Sequence, residues 1–114
     1  MRTNFQMEYQ SITMTRGDTV SFNVIVKDQN GNLVSADTAF FTCKKLVVDD
    51  AFLFQKSIGD GITQYDDCMA VRVAPEDTRY LDAGRYFYDL QIGVKNDVFT
   101  ILKGVLDIEQ NVTF

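Results

Sequence analysis

The stretch LDAGRYFYDLQIGVKNDVFTILKGVL, residues 81–106, decides the fold. Tyr86, Tyr88, Leu90, Ile92 and Val94 recur at period two, and Arg85, Phe87, Asp89 and Gln91 fall between them. That alternation describes a β-strand with one face on a core and the other toward solvent or a partner. A tight turn at Asn96-Asp97 joins it to a second strand, and Gly84 makes the corner through which the pair is entered. The stretch fixes architecture and carries no catalytic chemistry.

Working outward, the rest of the chain repeats the pattern in shorter pieces. Residues 9–15 alternate loosely and read as a first, edge strand, closed by a turn at Arg16-Gly17-Asp18. Residues 19–27 form a clean strand with Val20, Phe22, Val24 and Val26 on one face. Asp28-Gln29-Asn30-Gly31-Asn32 has the side chains a tight reversal needs. In residues 39–48 both faces are partly apolar, which predicts a strand covered on both sides. Another strand is expected over 51–58, a reversal at Gly59-Asp60-Gly61, a short strand over 62–65, and one centred on Met69, Val71 and Val73. Pro75 followed by Glu76 and Asp77 opens a helical turn, because proline suits a first helical position and acidic residues suit the positive end of the helix dipole.

Seven or eight strands at this spacing, with one short helical turn near residues 76–81, predict an all-β chain built as an antiparallel β-sandwich. Tyr86, following the Asp82-x-Gly84 bend at the start of the penultimate strand, stands where immunoglobulin-like domains place a tyrosine corner. Gly84 and Tyr86 are therefore the expected structural corner, with the hydroxyl bonded to backbone a few residues upstream. Cys43 and Cys68 do not occupy the paired positions of an antibody-type disulfide, and tryptophan is absent. Two buried thiols are expected.

The 114 residues are read as one immunoglobulin-like domain, residues 1–114. A chain of this size buries about 65% of its unfolded surface without a metal or disulfide staple. The net charge of −5 and the scattered basic residues argue against a nucleic-acid partner, which requires clustered cations. Lys44-Lys45 is the only adjacent basic pair, and a strand places its members on opposite faces. No apolar run suggests a signal peptide or a membrane span, which predicts a protein made in a cytoplasm, with no membrane partner.

Motifs that suggest chemistry have plainer readings here. Arg16-Gly17-Asp18 matches an adhesive tripeptide but is ordinary turn chemistry. Asn111-Val112-Thr113 matches a glycosylation sequon without any sign of secretion. The carboxylates of Asp49-Asp50, Asp60 and Asp66-Asp67 lack the loop spacing that gathers roughly six to eight oxygens about calcium. The chain contains no histidine, which removes the commonest general base and metal ligand. No catalytic, cofactor-binding or metal-binding residue is assigned, and neither an enzymatic activity nor a small-molecule substrate is expected.

Three segments together carry a family resemblance. They are MTRGDTVSFNVIVKDQNGNLV at 14–34, VAPEDTRYL at 73–81, and GRYFYDLQI at 84–92 continuing to TILKGVLDI at 100–108. In this order they resemble small bacteriophage and prophage virion proteins. They look most like the immunoglobulin-like N-terminal domain of phage baseplate upper proteins and related head, neck and tail accessory proteins. The resemblance spans residues 14–113. It implies a structural and interaction protein of a virion, assembled in the bacterial host cytoplasm, with other virion proteins and copies of itself as partners. It supplies no ligand residues; Gly84, Tyr86 and Asp89 match its motif as architecture. Its place in the particle stays open.

Two functional expectations follow. A virion interaction protein should expose apolar side chains, with Phe52, Phe54 and Phe87 as candidate interface residues. The alternative, a carbohydrate-binding β-sandwich module, would use exposed Tyr9, Tyr65, Tyr80 and Phe87 to stack on sugar rings.

Overall fold

The computed structural model describes residues 7–113. Among them lie strands β1 (Glu8–Tyr9), β2 (Ile12–Thr15), β3 (Val20–Val24), β4 (Thr38–Lys44), β5 (Phe54–Ile58), β6 (Gly61–Gln64) and β7 (Met69–Val73). A single helical turn α1 (Pro75–Thr78) follows, then the two long strands β8 (Gly84–Val94) and β9 (Asp97–Glu109). The chain is all-β. The strands form one hydrogen-bonded path, β1-β9-β8-β4-β5-β6-β7-β3, with β2 also paired to β9.

That path curls into two facing layers. Phe22 on β3 meets Phe41 on β4 edge-on with ring centroids 5.7 Å apart, so the far end of the sheet packs over its middle. Phe41 also contacts Phe54 and stacks on Tyr88. Around these rings Ile62, Met69, Val71, Leu90, Ile92 and Leu106 are fully buried. The inward face of β8 is the alternating set Tyr86, Tyr88, Leu90 and Ile92, with Val94 half-buried at its end.

Pairing is mixed where the sequence suggests an antiparallel arrangement. β1 and β2 run parallel to β9, and β5 runs parallel to β6 over two residue pairs. The turn at Arg16-Gly17 explains the first case: it sends the chain across to the opposite layer and does not fold β2 back as a hairpin. Arg16 is held there by its guanidinium, which donates to Asn111 Oδ1 and to the Leu81 carbonyl. The Gly17 amide donates to the buried Thr78 hydroxyl. The adhesive tripeptide is thus part of the fold.

Several boundaries also differ from the sequence reading. The β8–β9 turn is Lys95-Asn96, not Asn96-Asp97, because Val94 pairs with Asp97 and leaves a two-residue loop. Both loop residues have positive φ, 51° and 71°, the handedness that matches a twisted hairpin. Asp37 braces this turn by accepting the Lys95 amide. The helical turn ends at Thr78, short of residue 81, and its first turn is capped by Asp77, whose carboxylate accepts the Ala74 amide at 2.7 Å. The same oxygen meets Lys56 Nζ at 2.7 Å in a nearly buried ion pair that ties β5 to α1.

The expected strand over 39–48 stops at Lys44 and is buried on one face only; that over 51–58 begins at Phe54. Residues 45–53 form a loop whose apolar side chains point out. The first edge strand is split at Gln10-Ser11. There the Gln10 amide donates to the Lys103 carbonyl, and the Tyr88 hydroxyl reaches up to donate to the Gln10 carbonyl at 2.6 Å. Cys43 is buried, but Cys68 is half-exposed, and both are free.

Gly104 makes the N-terminal pairing possible. A Cβ at this position would overlap the Gln10 carbonyl oxygen, with the Gln10 carbonyl carbon 2.8 Å away. Gly104→Ala should therefore displace β1 from β9 and cost about 1–3 kcal/mol, the usual range for forced overpacking. Urea unfolding measures the loss, and amide exchange at Gln10 reports whether β1 has lifted.

Candidate functional site

The corner expected at Gly84 and Tyr86 is built from three features. Gly84 has φ +151°, a conformation that side-chain-bearing residues rarely adopt. Tyr86 is buried, and its hydroxyl donates to the Asp82 carbonyl at 2.6 Å. Lys45 Nζ lies 4.6 Å from the Tyr86 ring centre, a cation–π contact that closes the corner from outside. Every one of these groups has a protein partner, so the corner is architecture.

The candidate interface residues fall in different places. Phe54 is only 7% exposed and belongs to the core, because it starts β5 opposite Cys43 and packs against Phe41; it is corrected from interface to core. Phe52 is 51% exposed in the β4–β5 loop. Its neighbours Leu46, Val47, Val48 and Leu53 are exposed with it, Val48 at 86%. The loop is nonetheless ordered. Asp49 accepts the Leu46 amide through Oδ2 and the Lys44 ammonium through its carbonyl, and the Leu53 amide returns to the Cys43 carbonyl. Sequence reasoning missed this knob because LVV at 46–48 reads as strand; Asp49 and Asp50 were the signal for a reversal.

Phe87 is half-buried on the outer face of the β9-β8-β4 layer, in a hollow of about 360 Å³. The register sets out its walls. Phe87 lies between Val105 on β9 and Lys44 on β4; one row along, Asp89 lies between Lys103 and Thr42. Tyr9 pairs with Lys103 from β1, and the Lys103 ammonium sits 5.3 Å from the Tyr9 ring centre. Val47 closes the hollow on the loop side. Of the four aromatic residues considered for sugar stacking, Tyr9 and Phe87 come together here. Tyr65 and Tyr80 are exposed elsewhere on the surface.

Asp89 is the unusual group. Its carboxylate makes no hydrogen bond or ion pair among the described residues; the neighbouring Thr42 hydroxyl accepts from Gln55 Nε2. Burial pushes the Asp89 carboxyl above the ordinary range, and the ammonium groups of Lys44 and Lys103 offset this only in part. Asp107, one row beyond Phe87 on the same face, shows the contrast. Its carboxylate accepts two hydrogen bonds from Arg85, which hold its pKa below the ordinary value.

A second, larger cleft of about 970 Å³ separates the two ends of the curled sheet. Phe22, Val24, Ile101 and Leu102 line it, with Glu8, Gln10 and Asn23 at its rim. Among the described residues Ser11, Lys27, Asp28 and Gln29 also line it. Elsewhere, burial pushes the Cys43 thiol up to about 12, leaving it an inert core residue. Among the described residues no three His, Cys, Asp or Glu side chains gather as a metal site.

No protein-family model matches this sequence, and a search of curated proteins finds no match. The hollow and the apolar loop therefore have to be interpreted from their own chemistry.

For Asp89 the sign of the pH effect is fixed. A carboxyl raised in the folded state binds its proton more tightly there, so the ionised form costs stability at neutral pH. Asp89→Asn should raise the thermal midpoint at pH 7. Its advantage over the unaltered protein should shrink as pH falls through the raised pKa, where Asp89 becomes neutral anyway. Paired melts between pH 7 and pH 3 check both the sign and the convergence.

Proposed function

We propose that this chain is a non-enzymatic structural and interaction protein of a bacteriophage virion or prophage, a head, neck, tail or baseplate accessory component. It acts by docking onto other virion proteins, in several copies, after synthesis in the bacterial cytoplasm. The observation that carries this reading is the β4–β5 loop. Five large apolar side chains, Leu46, Val47, Val48, Phe52 and Leu53, are exposed on one ordered loop of nine residues, 45–53. Scattered single apolar residues on a surface need no explanation, whereas five on one nine-residue loop supply the apolar surface an interaction site uses. Because hydrogen bonds already fix the loop, little conformational freedom is lost when a partner covers it.

The sequence pattern described above supplies the kind of assembly. A non-enzymatic role is supported by the absence of histidine and by the inert setting of Cys43. The tyrosine corner and the ion pair between Lys56 and Asp77 give a rigid body on which an exposed loop can be held in place.

Incorporation into particles tests the proposal. Phage particles purified from a host producing this chain should contain it in fixed stoichiometry by quantitative mass spectrometry. The variant Val48→Asp/Phe52→Asp should fold with an unchanged far-ultraviolet spectrum and be depleted from particles at least about tenfold, the loss expected when an interface hot spot is removed. Particles lacking the chain altogether, or equal incorporation of the variant, would contradict it.

A further inference from the structure

We propose that the hollow over Phe87 is a binding site for a neutral pyranose saccharide. This is an activity separate from the docking role of the β4–β5 loop. The sheet register places two kinds of surface side by side. One row runs from Val105 through Phe87 to Lys44, with two apolar members; the next holds Lys103, Asp89 and Thr42. Phe87 and Asp89 are two residues apart on one strand, about 6.5–7 Å. That spacing matches the breadth of a hexose ring, whose C–H face can lie on Phe87 while an edge hydroxyl reaches Asp89.

The charges select among ligand classes. A cation drawn to Asp89 would meet the ammonium groups of Lys44 and Lys103, both close enough to act on that carboxylate. An anion drawn to the lysines would meet Asp89 between them. A purely apolar ligand would bury Asp89 with its charge unanswered, which is costly. A neutral polyol answers all three groups. Its hydroxyls donate to Asp89 and accept from Lys103 and Lys44, and its apolar face covers Phe87. Tyr9, on the next strand across Lys103, lines the same hollow with a second ring. The hollow, at about 360 Å³, has room for one or two sugar units.

The Asp89 carboxylate also makes no hydrogen bond among the described residues, and burial makes its ionised form unfavourable despite the two nearby ammonium groups. A ligand donor would relieve that penalty, whereas the paired Asp107 has no such need. Polar groups left open at a concave, aromatic surface are the usual mark of a site made for a ligand.

The test is titration of the isotope-labelled chain with methyl glycosides of glucose, galactose, mannose and N-acetylglucosamine, each to about 20 mM, well above a millimolar dissociation constant. At least one should give saturable amide shifts confined to residues 87–89, 103–105 and 42–44. Those shifts should weaken at least about tenfold in Phe87→Ala and in Asp89→Ala, and persist in Tyr80→Ala. Asp89→Asn, which keeps the shape of the side chain, provides the second reading if a truncated variant fails to fold; it too should weaken binding. A parallel titration with methyl glucuronide gives the anionic comparison; no saturable shift with any of the four neutral glycosides, shifts that survive these substitutions, or saturable shifts with the glucuronide alone would overturn the proposal.

Discussion

Phe41 has no exposed surface and stands in contact with three other rings, Phe22 at 5.7 Å, Phe54 at 6.3 Å and Tyr88 at 5.2 Å. These partners come from β3, β5 and β8, so the cluster joins the far end of the curled sheet to its centre. No hydrogen-bonded pairing links β3 to β1 or β2 among the described strands, and a cleft lies between those ends. Closure therefore depends on side-chain packing. Aromatic pairs are worth roughly 0.5–1.5 kcal/mol each beyond their buried area. Three around one ring are a large part of a stability that, for a domain of this size, is only about 5–15 kcal/mol.

Polar contacts reinforce this cluster where the two layers meet. Lys56 reaches Asp77 inside the fold, Tyr88 holds the Gln10 carbonyl, and Gln64 pairs with both backbone groups of Ala36. Each satisfies a group that would otherwise be costly to bury. Together they direct the inward face of β8 and β4 to structure. The outward face of the same strands carries Phe87 and Asp89, with Lys44 and Lys103 close enough to act on the Asp89 carboxylate.

Much of the inward side was legible in the sequence. Period-two alternation on β8 and β3, the corner at Gly84 and Tyr86, and the glycine turn at residues 28–32 depend on local chemistry, and local chemistry is what a sequence displays. What it hid depends on distance. The Lys56–Asp77 pair joins residues 21 positions apart, and nothing near Lys56 marks it as buried. The parallel course of β1 and β2 along β9 depends on Gly104 yielding space to Gln10, a contact across 94 positions. Phe54, expected with Phe52 at an exposed interface, is turned inward by its register with Cys43. The hollow was half legible: Tyr9 and Phe87 were marked by type, but only the pairing of β1, β9, β8 and β4 brings Asp89 and Lys103 beside them.

The most direct test of this account is equilibrium urea unfolding of Phe41→Ala. If the ring cluster closes the curl, the substitution should cost about 3–5 kcal/mol, the range for removing a buried aromatic ring. Its unfolding transition should move to much lower urea. A loss below about 1 kcal/mol, within the range of a surface change, would show that the two layers hold together by other means.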